Sequence, residues 1–321
     1  MNKHSSIKSA GSLVERAAEM YDFGAALRGG SAPIVPTQDA VAAIASAAVI
    51  TPPAPAPAVS APAAPAMQPR GPHSSATRVV QINRERLAAH NFIVPDGPVS
   101  GLSEEFRIVK RQLLLAARGG KGVDAVPHGE RILVCSANPN EGKTYCAINL
   151  ALSMASEKDN RVLLVDADFA KPSVLSTLGI ESSPGFMDAL ADDRVEAESY
   201  IIETDIEGLS ILPAGSRTNQ DTEYLAAART AQIIDDLTRN DPSRIIIFDS
   251  PPALAASPAS VLALHVGQVL MIVHADETTD SALRDALGLL SGCDHVQLLL
   301  NRAKFSPTGR KFGNYYGYGA S

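Results

Sequence analysis

Residues Arg131-Ile132-Leu133-Val134-Cys135-Ser136-Ala137-Asn138-Pro139-Asn140-Glu141-Gly142-Lys143-Thr144 decide how the rest of the chain is read. An apolar run is followed by a short polar loop and then by a helix-like run at 147–155. The order is strand, loop, helix. The spacing from Ala137 to Thr144 fits a phosphate-binding P-loop with Ala in place of the first Gly. Such a loop aims backbone N–H groups at one point, at the positive end of a helix. Lys143 is expected to reach the β- and γ-phosphates of a nucleotide, and the Thr144 hydroxyl to hold Mg²⁺. The remaining loop contacts fall to Asn140, Glu141, Gly142 and Tyr145.

Downstream, apolar runs alternate with helical patterns, which argues for an α/β fold: a mostly parallel sheet flanked by helices. Strands are expected at 131–136, 161–166, 209–213, 244–249, 269–274 and 297–301. Four of them are near-continuous apolar runs, as expected of strands buried on both faces. Helices are expected between them, among them 221–238 and 280–290. The acidic stretch 181–207 has no site-like spacing and reads as solvated helix faces.

In open α/β sheets, ligands bind beyond the carboxyl ends of the strands. Two further strands end in chemistry there, Val162-Leu163-Leu164-Val165-Asp166-Ala167-Asp168 and Ile245-Ile246-Ile247-Phe248-Asp249. An aspartate ending an apolar strand is costly to desolvate unless a cation or donors meet it. Asp249 is therefore the Walker B candidate for Mg²⁺, with Asp166 beside it. Along a continuing strand Asp166 and Asp168 would point the same way. One would then serve the metal while the other takes a proton from an attacking hydroxyl.

Three regions flank this domain. Residues 12–21 have helical spacing. Residues 29–78 are rich in Ala, Pro, Ser and Gly and read as a disordered linker. The last sixteen, 306–321, read as a flexible tail in which Tyr315, Tyr316 and Tyr318 supply three of the chain's seven tyrosines. From Arg302 onward there are four basic residues and no acidic one. Before the P-loop, 103–114 reads as an amphipathic helix with Ser103 as N-cap. Phe106, Val109 and Leu113 form its stripe, and Glu104, Arg107, Lys110 and Arg111 face away. The domain bounded by these regions is 79–305.

The net charge of −7 argues against a general nucleic-acid binder. Three cysteines lack metal-ligand spacing and read as buried hydrophobes of a reducing compartment. The apolar stretch 40–50 is too short to span a bilayer. A cytoplasmic protein is expected.

Taken together, Ala137–Thr144, Val162–Asp168, Ile245–Pro252 and Tyr315–Tyr318 resemble the bacterial tyrosine kinases (BY-kinases) of capsule and exopolysaccharide assembly. Residues 12–18 resemble the exosortase-associated autokinase subgroup. The resemblance implies a MinD-like P-loop fold and ATP-dependent autophosphorylation of the tail tyrosines between subunits. It implies that Asp168 meets the tyrosine hydroxyl and that Asn301 reads adenine. Glu104, Arg107 and Lys110 resemble the family's E-x-x-R-x-x-R oligomerisation motif, with Lys in the last place. The implied partners are other copies of the chain, a membrane-bound chain-length protein that activates the kinase and recruits it to the inner membrane face, and a cognate tyrosine phosphatase. Ala170 and Lys171 stand where the family has paired arginines, and Lys lacks the guanidinium geometry. Two other readings share the motifs: a partitioning or positioning ATPase, against which Asn138 stands in place of a second loop lysine, and a nucleotide-switched scaffold for polysaccharide export.

Overall fold

A computed structural model describes residues 79–303. The expected helix at 12–21, the linker at 29–78 and the tyrosines Tyr315, Tyr316 and Tyr318 lie outside the described residues.

In chain order the described elements are α1 (Arg84–Ala89), α2 (Gly101–Arg118), β1 (Arg131–Ser136), α3 (Lys143–Ala155), β2 (Arg161–Asp166), α4 (Val174–Leu178) and α5 (Phe186–Ala191). There follow β3 (Ile202–Glu203), β4 (Leu209–Leu212), α6 (Asp221–Ala226), α7 (Ala228–Arg239), β5 (Arg244–Asp249), α8 (Pro258–Leu262), β6 (Gln268–His274), α9 (Asp280–Leu289) and β7 (Val296–Asn301). The strands form one sheet in the order β3-β4-β2-β5-β1-β6-β7. Every pairing is parallel except that of β3 with β4. This is the mostly parallel α/β sheet expected from the sequence.

The central strands β1 and β5 are buried along their whole length. Their side chains feed two apolar layers. One contains Leu133, Phe186, Phe248 and Ile234. The other contains Val134, Leu150, Leu164 and Leu113. Fully burying a side chain of this size is worth roughly 1.5–3 kcal/mol. The layers hold the carboxyl ends of β1, β2 and β5 side by side, and the site is built there.

Helix α2 differs from its expected form in two ways. Its N-cap is Ser100, three residues before the expected Ser103, which instead completes a capping box. Lys110 does not face away. It is buried, its Nζ donates to Ser153 O at 2.7 Å, and it pairs with Glu157 at 2.9 Å. Phe106, Lys110 and Leu113 fall on one helical face, and the long aliphatic stem lets lysine share an apolar stripe. Its charge sits at the carboxyl end of α3, where a cation is favoured. The motif residues Glu104 and Arg107 instead form an exposed pair. Lys110→Ala should therefore cost about 1–3 kcal/mol of stability, because it strips a buried charged hydrogen bond. Glu104→Ala should cost at most about 1 kcal/mol. Denaturant melts of the two variants check this contrast.

Two other expectations are corrected. The helix expected over 221–238 is broken at Ala227, whose backbone is extended. Buried Thr230 donates its hydroxyl to Tyr224 O at 3.1 Å and closes the first segment. The acidic stretch is only partly solvated. Asp188 accepts the N–H groups of Gly185 and Ser216, Glu198 pairs with buried Arg244, and Asp205 pairs with Arg84.

Candidate nucleotide site

The loop after β1 turns through two residues of positive φ, Asn140 at 65° and Gly142 at 97°. Helix α3 then starts at Lys143. A Cβ on Gly142 would lie 2.2 Å from Asn301 Nδ2 and the backbone there is strained for any L side chain, so a substitution would displace Asn301 or the loop. Asn301 sits at the end of β7 and donates Nδ2 to Glu141 O at 2.9 Å. Its Oδ1 accepts Arg302 N–H at 2.9 Å. The residue expected to read adenine buttresses the loop.

The Glu141 side chain turns inward. It is buried and accepts Asn138 N–H at 2.8 Å and the Thr278 hydroxyl. Only its backbone is free to face a phosphate. Thr278 follows β6, so the P-loop is latched to a second loop. Tyr145 is likewise engaged: its hydroxyl donates to Asn91 O at 2.6 Å and its ring packs on Phe92.

In front of the loop lies a cleft of about 460 Å³, lined by Asn140, Lys143, Thr144, Tyr145, Asp168, Lys171 and Ser173 among others. Beneath it, Asp166 and Asp249 are register partners at the ends of adjacent strands β2 and β5. Asp249 is fully buried, and neither carboxylate oxygen has a hydrogen-bond partner among the described residues. Burial, and then the Asp166 charge, push its pKa up to about 8, against the pull of the Thr144 hydroxyl and Lys143. An orphaned carboxylate of this kind is costly without a cation.

Asp166 is met by donors instead. Its oxygens accept N–H groups from Asp168 at 3.3 Å and from Ser173 and Val174 at 3.0 Å each. Burial still lifts its pKa to about 6, with these N–H groups opposing. The strand ends at Asp166, so Asp168 does not extend it in line; a turn closed by the 3.3 Å bond carries Asp168 to the cleft. Burial raises the Asp168 pKa, opposed by Lys171 N–H and the Lys143 charge. The two aspartates thus differ in kind: Asp166 braces the loop and Asp168 is open to the cleft.

The fold places Asp166, Asp168, Asp249, Lys143 and Thr144 together at the carboxyl ends of β1, β2 and β5. Glu104, Arg107 and Lys110 lie on α2, away from the residues that line the cleft. Ser173 and Thr278 were not foreseen. Ser173 Oγ lies 3.2 Å from Thr144 Oγ1, and its N–H holds Asp166. Neither belongs to a spacing motif; each is recognisable only from the fold.

The family model described as AAA_31, AAA domain, matches residues 131–302, from the start of β1 to just past β7. The chain belongs to the AAA_31 family. This AAA_31 chain is 25% identical over 228 residues to the putative tyrosine-protein kinase CapB of Staphylococcus aureus, covering 70% of this chain and 94% of that protein. It is 28% identical over 200 residues to the putative tyrosine-protein kinase EpsB of Ralstonia nicotianae, covering 58% of this chain but only 26% of that protein. The VpsO kinase domain superposes with a TM-score of 0.52 at 27% identity, covering 63% of this chain and 96% of that domain. The AAA_31 chain is thus a relative of the bacterial tyrosine kinases. No helix among the described residues is long and apolar enough to cross a membrane.

Proposed function

We propose that the chain is an ATP-dependent protein-tyrosine kinase that phosphorylates its own tyrosines Tyr315, Tyr316 and Tyr318, and that this autophosphorylation regulates exopolysaccharide or capsule polymerisation and export. The observation that carries the reading is a pair of unlike carboxylates, one lining the cleft and one buried beneath it. Asp249 is buried and without a donor beside Thr144 and Lys143, and Asp168 is open to an incoming hydroxyl.

Thr144 and Asp249 have the oxygen chemistry that Mg²⁺ prefers. Bound there with ATP, the ion would neutralise charge on the phosphates. The chain's own residues do the rest. Loop N–H groups and the α3 N-terminus orient the β- and γ-phosphates. Lys143 supplies a fixed positive charge where the transferring group gathers negative charge. Asp168 accepts the tyrosine proton as the phenolic oxygen bonds to the γ-phosphorus and ADP leaves. Its raised pKa moves it toward the operating pH, which suits a base. Asp166 keeps Ser173 and Val174 in place behind it. Asn301 borders the adenine end.

Relatives named as tyrosine kinases support this reading over a partitioning ATPase, as does Asn138 in place of a second loop lysine. Working partners are other copies of the chain, which offer their tails, a membrane-bound chain-length protein as activator, and an opposing tyrosine phosphatase. With these, a cytoplasmic chain works at the inner face of the membrane. Residues 12–18 support membership of the exosortase-associated subgroup. Replacing Tyr315, Tyr316 and Tyr318 together by Phe should remove most phosphotyrosine, read on an anti-phosphotyrosine blot after incubation with Mg·ATP. An undiminished signal would place the acceptors elsewhere.

A further inference from the structure

Strand β7 is an edge of the sheet, paired only with β6 among the described residues. The bonds that frame this pairing, Val269 N–H to His295 O and Ala275 N–H to Asn301 O, are both 2.9 Å. They direct the odd-numbered residues' backbone groups toward β6. Those of Val296, Leu298 and Leu300 therefore face the open edge. Leu298 and Leu300 are also 57% and 61% exposed. The strand reads Val-Gln-Leu-Leu-Leu-Asn, with no lysine, proline or other charge along it. Edges of this kind are ordinarily blunted by charge, proline or a covering segment.

The chain continues past this edge. Eighteen residues, 304–321, continue from the carboxyl end of this strand. After Lys304 and Phe305 they read Ser306-Pro307-Thr308-Gly309. Ser at the first, Pro at the second and Gly at the fourth place suit a type I turn, and Gly after such a turn closes a three-residue hairpin loop. The segment after the turn, Arg310-Lys311-Phe312-Gly313-Asn314-Tyr315-Tyr316-Gly317-Tyr318, is long enough to run back along β7. It is rich in aromatic residues, which pair well with aliphatic neighbours across strands, and has no acidic residue.

We propose that the segment after this turn folds back antiparallel on β7 of the same chain, so that Tyr316 and Tyr318 lie against Leu300 and Leu298. Resting on the kinase reading, this makes the edge a parking place for the acceptor tyrosines. A tail parked on its own subunit is withheld from a neighbour's cleft. Phosphate on a parked tyrosine sets a dianion against exposed leucines and favours release.

Hydrogen exchange of the full chain without nucleotide tests the parking independently of any kinase activity. The Leu298 and Leu300 amides should exchange at least about tenfold more slowly in the full chain than in a chain ending at Phe305. Equal rates would overturn the proposal. So would protection that disappears on dilution, which would assign the edge to a second copy. Because truncation can alter the domain, the double variant L298K/L300K provides a second readout in the full chain. Trypsin should cut after Arg310 and Lys311 at least about tenfold faster than in the unaltered chain. Unchanged cleavage would also overturn it. If exchange shows the parking but no phosphotyrosine forms with ATP, the kinase reading fails and the docking surface stands.

Discussion

Lys143→Met is expected to lower tyrosine autophosphorylation by at least about 10²–10³-fold, the scale seen when one preorganised charge-stabilising group is removed. Lys143 opens helix α3 at the end of a loop whose backbone is held from three sides. Asn301 supports Glu141 O, Thr278 holds the Glu141 carboxylate, and Ser136 Oγ donates to Asn138 O at 2.8 Å. None of these bonds involves the lysine side chain. The substitution should leave the loop in place and remove only the charge that acts on the cleft and its aspartates. Phosphotyrosine by blot, alongside a thermal melt, checks both halves. Full activity in a folded Lys143→Met chain would remove the P-loop lysine from the mechanism.

Asp249→Asn should have two opposite effects. Activity with Mg·ATP should fall by about 10²-fold or more, because a neutral amide is a poor magnesium ligand. Stability without metal or nucleotide should rise at neutral and alkaline pH. Folding raises the Asp249 pKa from 3.8 to about 8, chiefly through burial. The folded state therefore holds this proton more tightly than the unfolded chain. The favourable contribution is complete below pH 3.8, declines as pH rises, and is lost above about 8. The unaltered apoprotein should thus melt at progressively lower temperature across that window, and the variant should show a flatter profile. Mg·ATP should recover the loss in the unaltered chain at pH 8 and not in the variant. A pH profile that is the same in both would mean that Asp249 carries no such burden.

Much of this site was legible before the fold was known. Asp166 and Asp249 announced themselves because a carboxylate at the end of an apolar strand needs a stated reason. Gly142 and Lys143 had a spacing that phosphate binding demands. The sheet was legible because β1, β2, β5 and β6 are buried runs whose only economical arrangement is parallel, with helices on both faces. Other features needed three dimensions. Lys110 belongs to the apolar face of α2 only because α3 ends beside it and offers Ser153 O and Glu157. The break at Ala227 is marked by no Gly or Pro; it depends on a buried threonine hydroxyl reaching Tyr224 O. Strand β3 is two residues long and exists because β4 lies next to it. Ser173 and Thr278 act through partners 29 and 137 positions away, a distance across which no local pattern forms.

The departures at Ala170 and Lys171 also take on a physical meaning. Both line the cleft, and Lys171 N–H holds the Asp168 carboxylate at 3.0 Å. The backbone at this place does the work of positioning Asp168 whatever the side chain. What lysine changes is the charge facing the cleft, a mobile ammonium where a planar guanidinium would give two fixed donors.

The central claim is that the γ-phosphoryl group passes to the chain's own tyrosines and not to water. The direct measurement is the fate of that phosphate when the full chain is incubated with Mg·ATP, by mass spectrometry of the peptide containing Tyr315, Tyr316 and Tyr318 together with assay of free phosphate. The account predicts phosphate on these tyrosines, strongly reduced in Asp168→Asn. Steady release of free phosphate, with the tail peptide unmodified, would contradict it.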